Sequence, residues 1–297
     1  MKPKTFLALT CLLVAASLQA QTIDTAKIDA IIGIKGAMNT NENVFKVTSP
    51  RTDVKINVDG WTMPPFMGLG SWAAFTPGMG DQLMVMGDTV LFQDEVNPVM
   101  SVALDNGLSV TALHNHFFYD EPKVYFMHIA GEGSAENLAT AVKKVWDKIK
   151  EVRQANAQPA TTFGNTSLPA KSSITGSIIE SALGMKGQAN NGMFKIVIGR
   201  TTKMSGMEVG KEMGANTWAA FAGSDDNALV DGDFAVMENE LQPVLKSLRH
   251  DGINIVAIHS HMTDENPRIL FLHYWGRGKA ADLATALKAA VAKTSKM

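Results

Sequence analysis

Apolar and polar residues alternate in "LSVTALHNH" (108–116) and "KVYFMHIAG" (123–131), and both stretches are rich in β-branched and aromatic side chains. A period of two with that composition predicts two strands, joined as a hairpin around "YDEP". "WAAF", "QLMVMGDTVLF" and the stretch from Phe45 to Thr48 predict further strands. Elsewhere the period lengthens towards that of a helix. After Ser134, residues Leu138, Val142, Val145 and Ile149 fall on one helical face. "DEVNPVMSVALDNG" predicts a short helix with Asp94 as N-cap, Pro98 in the first turn and Gly107 at the C-terminal end. Another short helix is expected near Ile28 to Met38. The resulting fold class is α+β, an antiparallel or mixed sheet with helices packed on one face.

The same pattern then recurs. "SWAAF" at Ser71 returns as "TWAAF" at Thr217, and "GDTVLFQDEVNPVMSVALDNGLSVTALHNH" from Gly87 returns as "GDFAVMENELQPVLKSLRHDGINIVAIHSH" from Gly232. The match continues to the terminal helices "ENLATAVKKVWDKI" and "ADLATALKAAVAKT". The expected organisation is a leader over residues 1–20, repeat one over 21–153, a linker over 154–173 and repeat two over 174–297. The linker contains "QANAQPATTFGNTSLPAKSS", which has no apolar period and reads as exposed chain. Two separate domains and one pseudo-twofold body both fit this duplication.

Composition narrows the setting. "MKPKTFLALTCLLVAASLQAQ" places two lysines before an apolar run about half the length of a membrane-spanning helix, the order of a cleavable secretory signal. Periplasmic or secreted location is therefore expected, with no transmembrane segment after cleavage. The single cysteine, Cys11, lies in that leader, so the mature chain offers no thiol for disulfides, metal sites or nucleophilic catalysis. Without Lys2 and Lys4, the 27 basic and 29 acidic residues shift to a net charge of about minus four, no footprint for nucleic acid.

Histidine usage supplies the candidate chemistry. The chain has seven histidines, and six form two matched clusters: His114, His116 and His128 in repeat one, His259, His261 and His273 in repeat two. Residues two apart on a strand point the same way. The first unit would thus place Leu108, Val110, Ala112, His114 and His116 on one face, meeting Val124, Phe126 and His128 across the hairpin. Three imidazoles on an apolar face repel one another when protonated and lack mutual partners when neutral. A divalent metal, zinc or copper, resolves that conflict, with three nitrogen ligands and an open side.

Carboxylates extend the candidate set. Glu95 and Glu240 match at the start of the short helices and are candidate fourth ligands. Asp120 and Glu265 lie in the hairpin loops and are candidate general bases for hydrolysis at a metal centre. Lys123 and Arg268 keep a positive charge after Pro122 and Pro267. Of the 17 methionines, Met67 and Met213 match, but most lack counterparts, so core or groove filling is expected rather than a copper relay. Trp72 and Trp218 read as core or pocket wall. Ser260 stands opposite Asn115 in the repeat and is no nucleophile. No G-x-S-x-G, P-loop or dinucleotide fingerprint appears.

The order "EVNPV", "HNH", "EPKVYFMHIAGEG", echoed by "AIHSHMTDENPRILFLHYWGRG", resembles the bacterial exported proteins grouped with the mycobacterial lipoproteins LppY and LpqO. The resemblance spans nearly the whole mature chain and implies an envelope or secreted location and a duplicated architecture, without an established activity. "Lipoprotein" does not carry over, because "ALTC" lacks a small residue before the cysteine. Two functions follow: an exported metal-binding protein, with hydrolysis as an extension, or a non-catalytic envelope module for a small molecule, lipid, glycan or peptide.

Overall fold

The structure is a computed structural model that describes residues 22–164 and 166–295; the expected leader lies outside the described residues. Repeat one runs α1 (Thr25–Ile32), β1 (Ala37–Asn39), β2 (Val44–Pro50), β3 (Asn57–Val58), β4 (Trp61–Thr62), β5 (Gly70–Pro77), β6 (Leu83–Phe92), α2 (Gln93–Asp105), β7 (Ser109–His114), β8 (Asp120–Glu121), β9 (Val124–Gly133) and α3 (Ala135–Ala155). Repeat two restates it as α4 (Gly176–Leu183), β10 (Gln188–Asn190), β11 (Met193–Gly199), β12 (Thr202–Met204), β13 (Met207–Val209), β14 (Asn216–Ser224), β15 (Asn227–Met237), α5 (Glu238–His250), β16 (Asn254–His259), β17 (Glu265–Asn266), β18 (Ile269–Gly278) and α6 (Ala280–Val291).

Local chemistry sets the helix ends. Ser134 caps α3 by accepting from the Asn137 N–H, as its sequence predicts. The first helix is shorter than expected, because Gly33 turns left-handed (φ 77°) after Ile32 and Ala37–Asn39 becomes a strand. Helix α2 is not capped by Asp94: its start is Phe92, whose N–H is taken by the Glu95 carboxylate at 2.8 Å. Pro98 consequently lies inside the helix, beyond the first turn.

Twelve strands form one sheet in the order β1-β2-β5-β6-β9-β7-β16-β18-β15-β14-β11-β10. The two repeats meet at its middle, where Leu113 of β7 pairs antiparallel with Ile258 of β16. Between the two possible organisations, the duplication therefore builds one pseudo-twofold sheet. The six helices pack on one face, and a single apolar cluster runs through both repeats, from Ile28 and Val142 to Leu245 and Leu287. On the opposite face two small three-stranded sheets, β4-β3-β8 and β13-β12-β17, stand over satellite clusters that include Phe126 in repeat one and Phe271 in repeat two. Met67 and Met213 sit in single 3-10 turns and are exposed rather than core.

Helix residues also cross between repeats. Asn97 of α2 donates to the Ile255 carbonyl (3.1 Å) and accepts from the Ile255 N–H (2.7 Å). Its counterpart Gln242 of α5 does the same to Val110, at 2.8 and 2.9 Å. Each amide side chain thus satisfies one strand residue of the other repeat, which removes the penalty of leaving buried backbone groups unpaired. The change from "EVNPV" to "ELQPV" keeps this function with one methylene more.

Candidate metal centre

Register places the site on the open face of the sheet. At one level of repeat two, Val197 pairs with Trp218, Trp218 with Asp233, Asp233 with His273, and His273 with Ala257. Repeat one aligns Thr48, Trp72, Asp88, His128 and Ala112 in the same way. Directly opposite residues share a face, so each row carries Trp, Asp and His side chains outward, away from the helices.

A β-bulge completes the arrangement and corrects the expected face. Val110 pairs with Ile129 but Ala112 pairs with His128, so one extra residue sits between them; Ile255 and Ala257 repeat the irregularity opposite Tyr274 and His273. Val110 therefore points into the helix-side core, while Ala112 and His114 point out. The expected run of Leu108, Val110 and His114 on one face breaks at this bulge. The connection is also no tight hairpin: β7 ends at His114, and the chain makes β8 against β3 before β9 begins.

In repeat two the outward groups converge. Nε2 of His261 lies 3.1 Å from Nε2 of His259 and 3.3 Å from Oδ2 of Asp233. Ligand atoms of Asp233, His259 and His261 all fall within 4.8 Å of one another. Two ligands each bound to zinc at about 2.0–2.1 Å would stand about 3.3 Å apart in a tetrahedral shell, so these spacings suit one ion. His273 stacks on His259 with ring centroids 4.8 Å apart. His261 lies flat on Phe271, 3.5 Å between centroids, which fixes its ring plane.

Proton placement favours the same reading. Nδ1 of His261 faces the Gly214 carbonyl and Nδ1 of His273 faces the Gly232 carbonyl, both at 3.3 Å. A carbonyl only accepts, so each Nδ1 carries a proton, and it is Nε2 whose lone pair a cation would use. Burial, with His273 and His261 adding to it, lowers His259 to about 4, which keeps it neutral. Burial also pushes the Asp233 carboxyl up, against the pull of His273 and His261. Its Oδ1 and Nδ1 of His259 are buried without a hydrogen-bond partner among the described residues.

Repeat one assembles the same residue types more loosely. His114 lies between His116 and His128, with centroid distances of 5.2 and 5.1 Å, and His116 stacks on Phe126 at 3.3 Å. Burial, reinforced by His114 and His128 and opposed by Asp88, lowers the His116 pKa. Asp88 leaves Oδ1 buried and unpaired, as Asp233 does.

The other carboxylates are engaged away from the clusters. Glu95 is fully buried and accepts from Arg51 at 2.6 and 3.0 Å, while Arg153 lies 2.8 Å away. Glu240 pairs with Arg200 and accepts from the Ser295 N–H at 2.7 Å. Neither supplies a fourth ligand: both are structural acids buried against guanidinium groups. Asp120 accepts from the Val124 N–H at 2.7 Å and pairs with Lys123, and Glu265 accepts from the Ile269 N–H at 3.2 Å. As general bases they are displaced by this shared role, in which each closes the turn before the returning strand. Arg268 pairs instead with Glu238.

Asp88 and Asp233 are the site residues that sequence reasoning misses. Their signal was the repeated "GD" at Gly87 and Gly232. The glycine has its own cause: a Cβ at Gly87 would lie 2.7 Å from the Trp72 carbonyl, and one at Gly232 would collide with Trp218 and Tyr274. Among the described residues no helix is long and apolar enough to cross a membrane.

No curated protein matches the chain. Among solved structures, the trimeric bacterial microcompartment shell protein PduB covers 87% of this chain and 89% of its own at 11% identity, with a TM-score of 0.20, which supports no conclusion about fold or function. A family match falls once in each repeat, over residues 26–148 and 177–293, and together the two segments cover most of the chain. The protein belongs to the family described as Domain of Unknown Function (DUF1259).

Proposed function

We propose that this is an exported protein that binds a divalent metal, zinc or copper, on the open face of its sheet. In repeat two, Asp233, His259 and His261 hold the ion and His273 supports or joins them. In repeat one, Asp88, His114, His116 and His128 form the corresponding site. The observation that carries the reading is the approach of Asp233 Oδ2 and His261 Nε2 to 3.3 Å. With the Nδ1 proton given to Gly214, a neutral His261 leaves two acceptors facing each other there, and a metal cation between them satisfies both. Export and kinship with the proteins grouped with LppY and LpqO are supported by the leader-like N-terminus and by the "EVNPV", "HNH", "FMH" order.

Binding is the function the geometry supports best. Hydrolysis would need a free base, and Asp120 and Glu265 are occupied in turns. The test is elemental analysis of untagged protein followed by calorimetric titration of zinc and copper into chelator-treated protein. One ion per functional repeat is expected, and His261→Ala together with His116→Ala should abolish uptake with the fold retained. Wild-type protein that takes up neither ion would reduce His261 and Asp233 to a protonated ion pair and end the metal reading.

A further inference from the structure

Beside Asp233 and His261 the surface opens into a cleft of about 720 Å³, walled by Lys186, Lys195 and Lys211 and floored by Trp218. We infer that this cleft of repeat two is a binding site for a small anionic ligand, carrying a phosphate or carboxylate group, whose charged end is held by Lys195 and Lys211. The inference rests on the metal reading for what the ligand faces, and not for the lysines that hold it.

Several features point the same way. Lys195 sits on β11 between the buried Phe194 and Ile196, so it projects onto the open face, where its ammonium lies 4.2 Å from the Trp218 ring centroid. A cation on an aromatic ring is held at a defined place while its outer side stays available to an anion. Among the described residues no carboxylate pairs with it. Lys186 is engaged by the half-buried Glu180 at 2.7 Å, whereas Lys211 pairs at 3.2 Å with Glu212, an exposed acid on the cleft wall, and an exposed pair contributes little and exchanges readily. Cations that converge on one concavity raise the local concentration of anions.

Comparison of the repeats sharpens the assignment. Repeat one keeps Lys46 over Trp72, at 4.4 Å, and keeps Lys35 before Gly36 where Lys186 precedes Gly187. In the 3-10 turn, however, Pro65 and Phe66 replace Lys211 and Glu212, and Phe66 is 98% exposed. The backbone and two of the three lysines are shared, and repeat two alone adds Lys211 from the 3-10 turn, so the anion site is assigned to repeat two.

The experiment titrates inorganic phosphate, citrate and, as a neutral control, glucose into chelator-treated full-length protein by calorimetry. It uses the wild type, Lys195→Met with Lys211→Met, and the charge-matched control Lys144→Gln with Lys148→Gln on the helix side. Wild type and control should bind at least one of the two anions and not glucose, with binding weakened by added salt, and the cleft variant should bind at least tenfold more weakly. Preference for phosphate over citrate identifies a phosphoryl ligand, and the reverse a carboxylate. Lys195→Met keeps its apolar contact with Trp218, and circular dichroism checks that both variants fold. Absence of anion binding in the wild type, or equal binding in the cleft variant, overturns the inference. Zinc titration of the same samples is read separately: lysine-dependent anion binding without zinc uptake removes the metal and leaves the cleft, whereas zinc uptake without anion binding does the opposite.

Discussion

Gly232 shows how tightly single residues are constrained around the candidate centre. It precedes Asp233 on β15 and faces Tyr274 across the strand pair, with the Tyr274 hydroxyl donating to the Trp218 carbonyl at 2.8 Å in the space a side chain would need. Gly232→Ala must displace that hydroxyl or shift the strand. We expect a loss of about 1–3 kcal/mol in chemical denaturation, the range for overpacking, with weakened metal uptake in repeat two because Asp233 moves with the backbone. A variant as stable as the wild type would show that the packing yields at this point. The same position shows what was legible beforehand. "GD" recurs visibly, but nothing local tells that its acid stands opposite a histidine more than thirty residues away; that follows from the pairing of β15 with β18, a long-range contact. The histidines were readable because six of seven cluster in sequence. Glu95 and Glu240 resemble metal ligands in the sequence because a carboxylate at a helix start looks the same whether it faces an ion or a buried arginine, and Arg51 and Arg200 arrive from just past the ends of the distant strands β2 and β11.

At the scale of the element, the bulges in β7 and β16 decide which way the histidines point. Strict alternation placed Val110 and His114 together, and one inserted residue separates them. Alternation was nonetheless enough to locate both strands, since a bulge changes the face and not the existence of the element. What holds the residue before each bulge is the amide of the opposite repeat: Asn97 on Ile255, Gln242 on Val110. Asn97→Ala would strand a buried N–H and C=O, at a combined cost of about 2–4 kcal/mol from the usual penalty for unsatisfied groups. The more telling outcome is positional. Asn97 belongs to repeat one but anchors β16, so its removal should weaken metal uptake in repeat two more than in repeat one, and Gln242→Ala should do the reverse. Calorimetry of each variant in a background where the other site is silenced by His116→Ala or His261→Ala separates the two. Equal loss at both sites would mean that the amides contribute stability without aiming the histidines.

Across the whole molecule, the continuous sheet and the shared core imply that the repeats unfold together, and the two Arg–Glu pairs tie each helix start to the strands beside it. Glu240 lends this a pH dependence. Burial raises its pKa, but Arg200, Ser295 and the Met237 N–H outweigh that effect and hold the carboxyl at about 2, below its ordinary 4.5. A group whose folded pKa is depressed contributes stability that is fully present above the ordinary value and is lost as pH falls through the folded one. The wild type should therefore lose this contribution between about pH 4.5 and 2. Glu240→Gln leaves Arg200 buried without a counter-charge, which should cost about 3–5 kcal/mol at neutral pH. Because the variant has no proton to gain at this position, the gap between the two proteins should narrow steadily on acidification over the same interval. Thermal melts of both proteins in matched buffers from pH 7 to pH 2 measure that gap directly. A constant difference would place the effect in lost packing, whereas convergence towards pH 2 assigns it to the ionised carboxylate and its bond to Arg200.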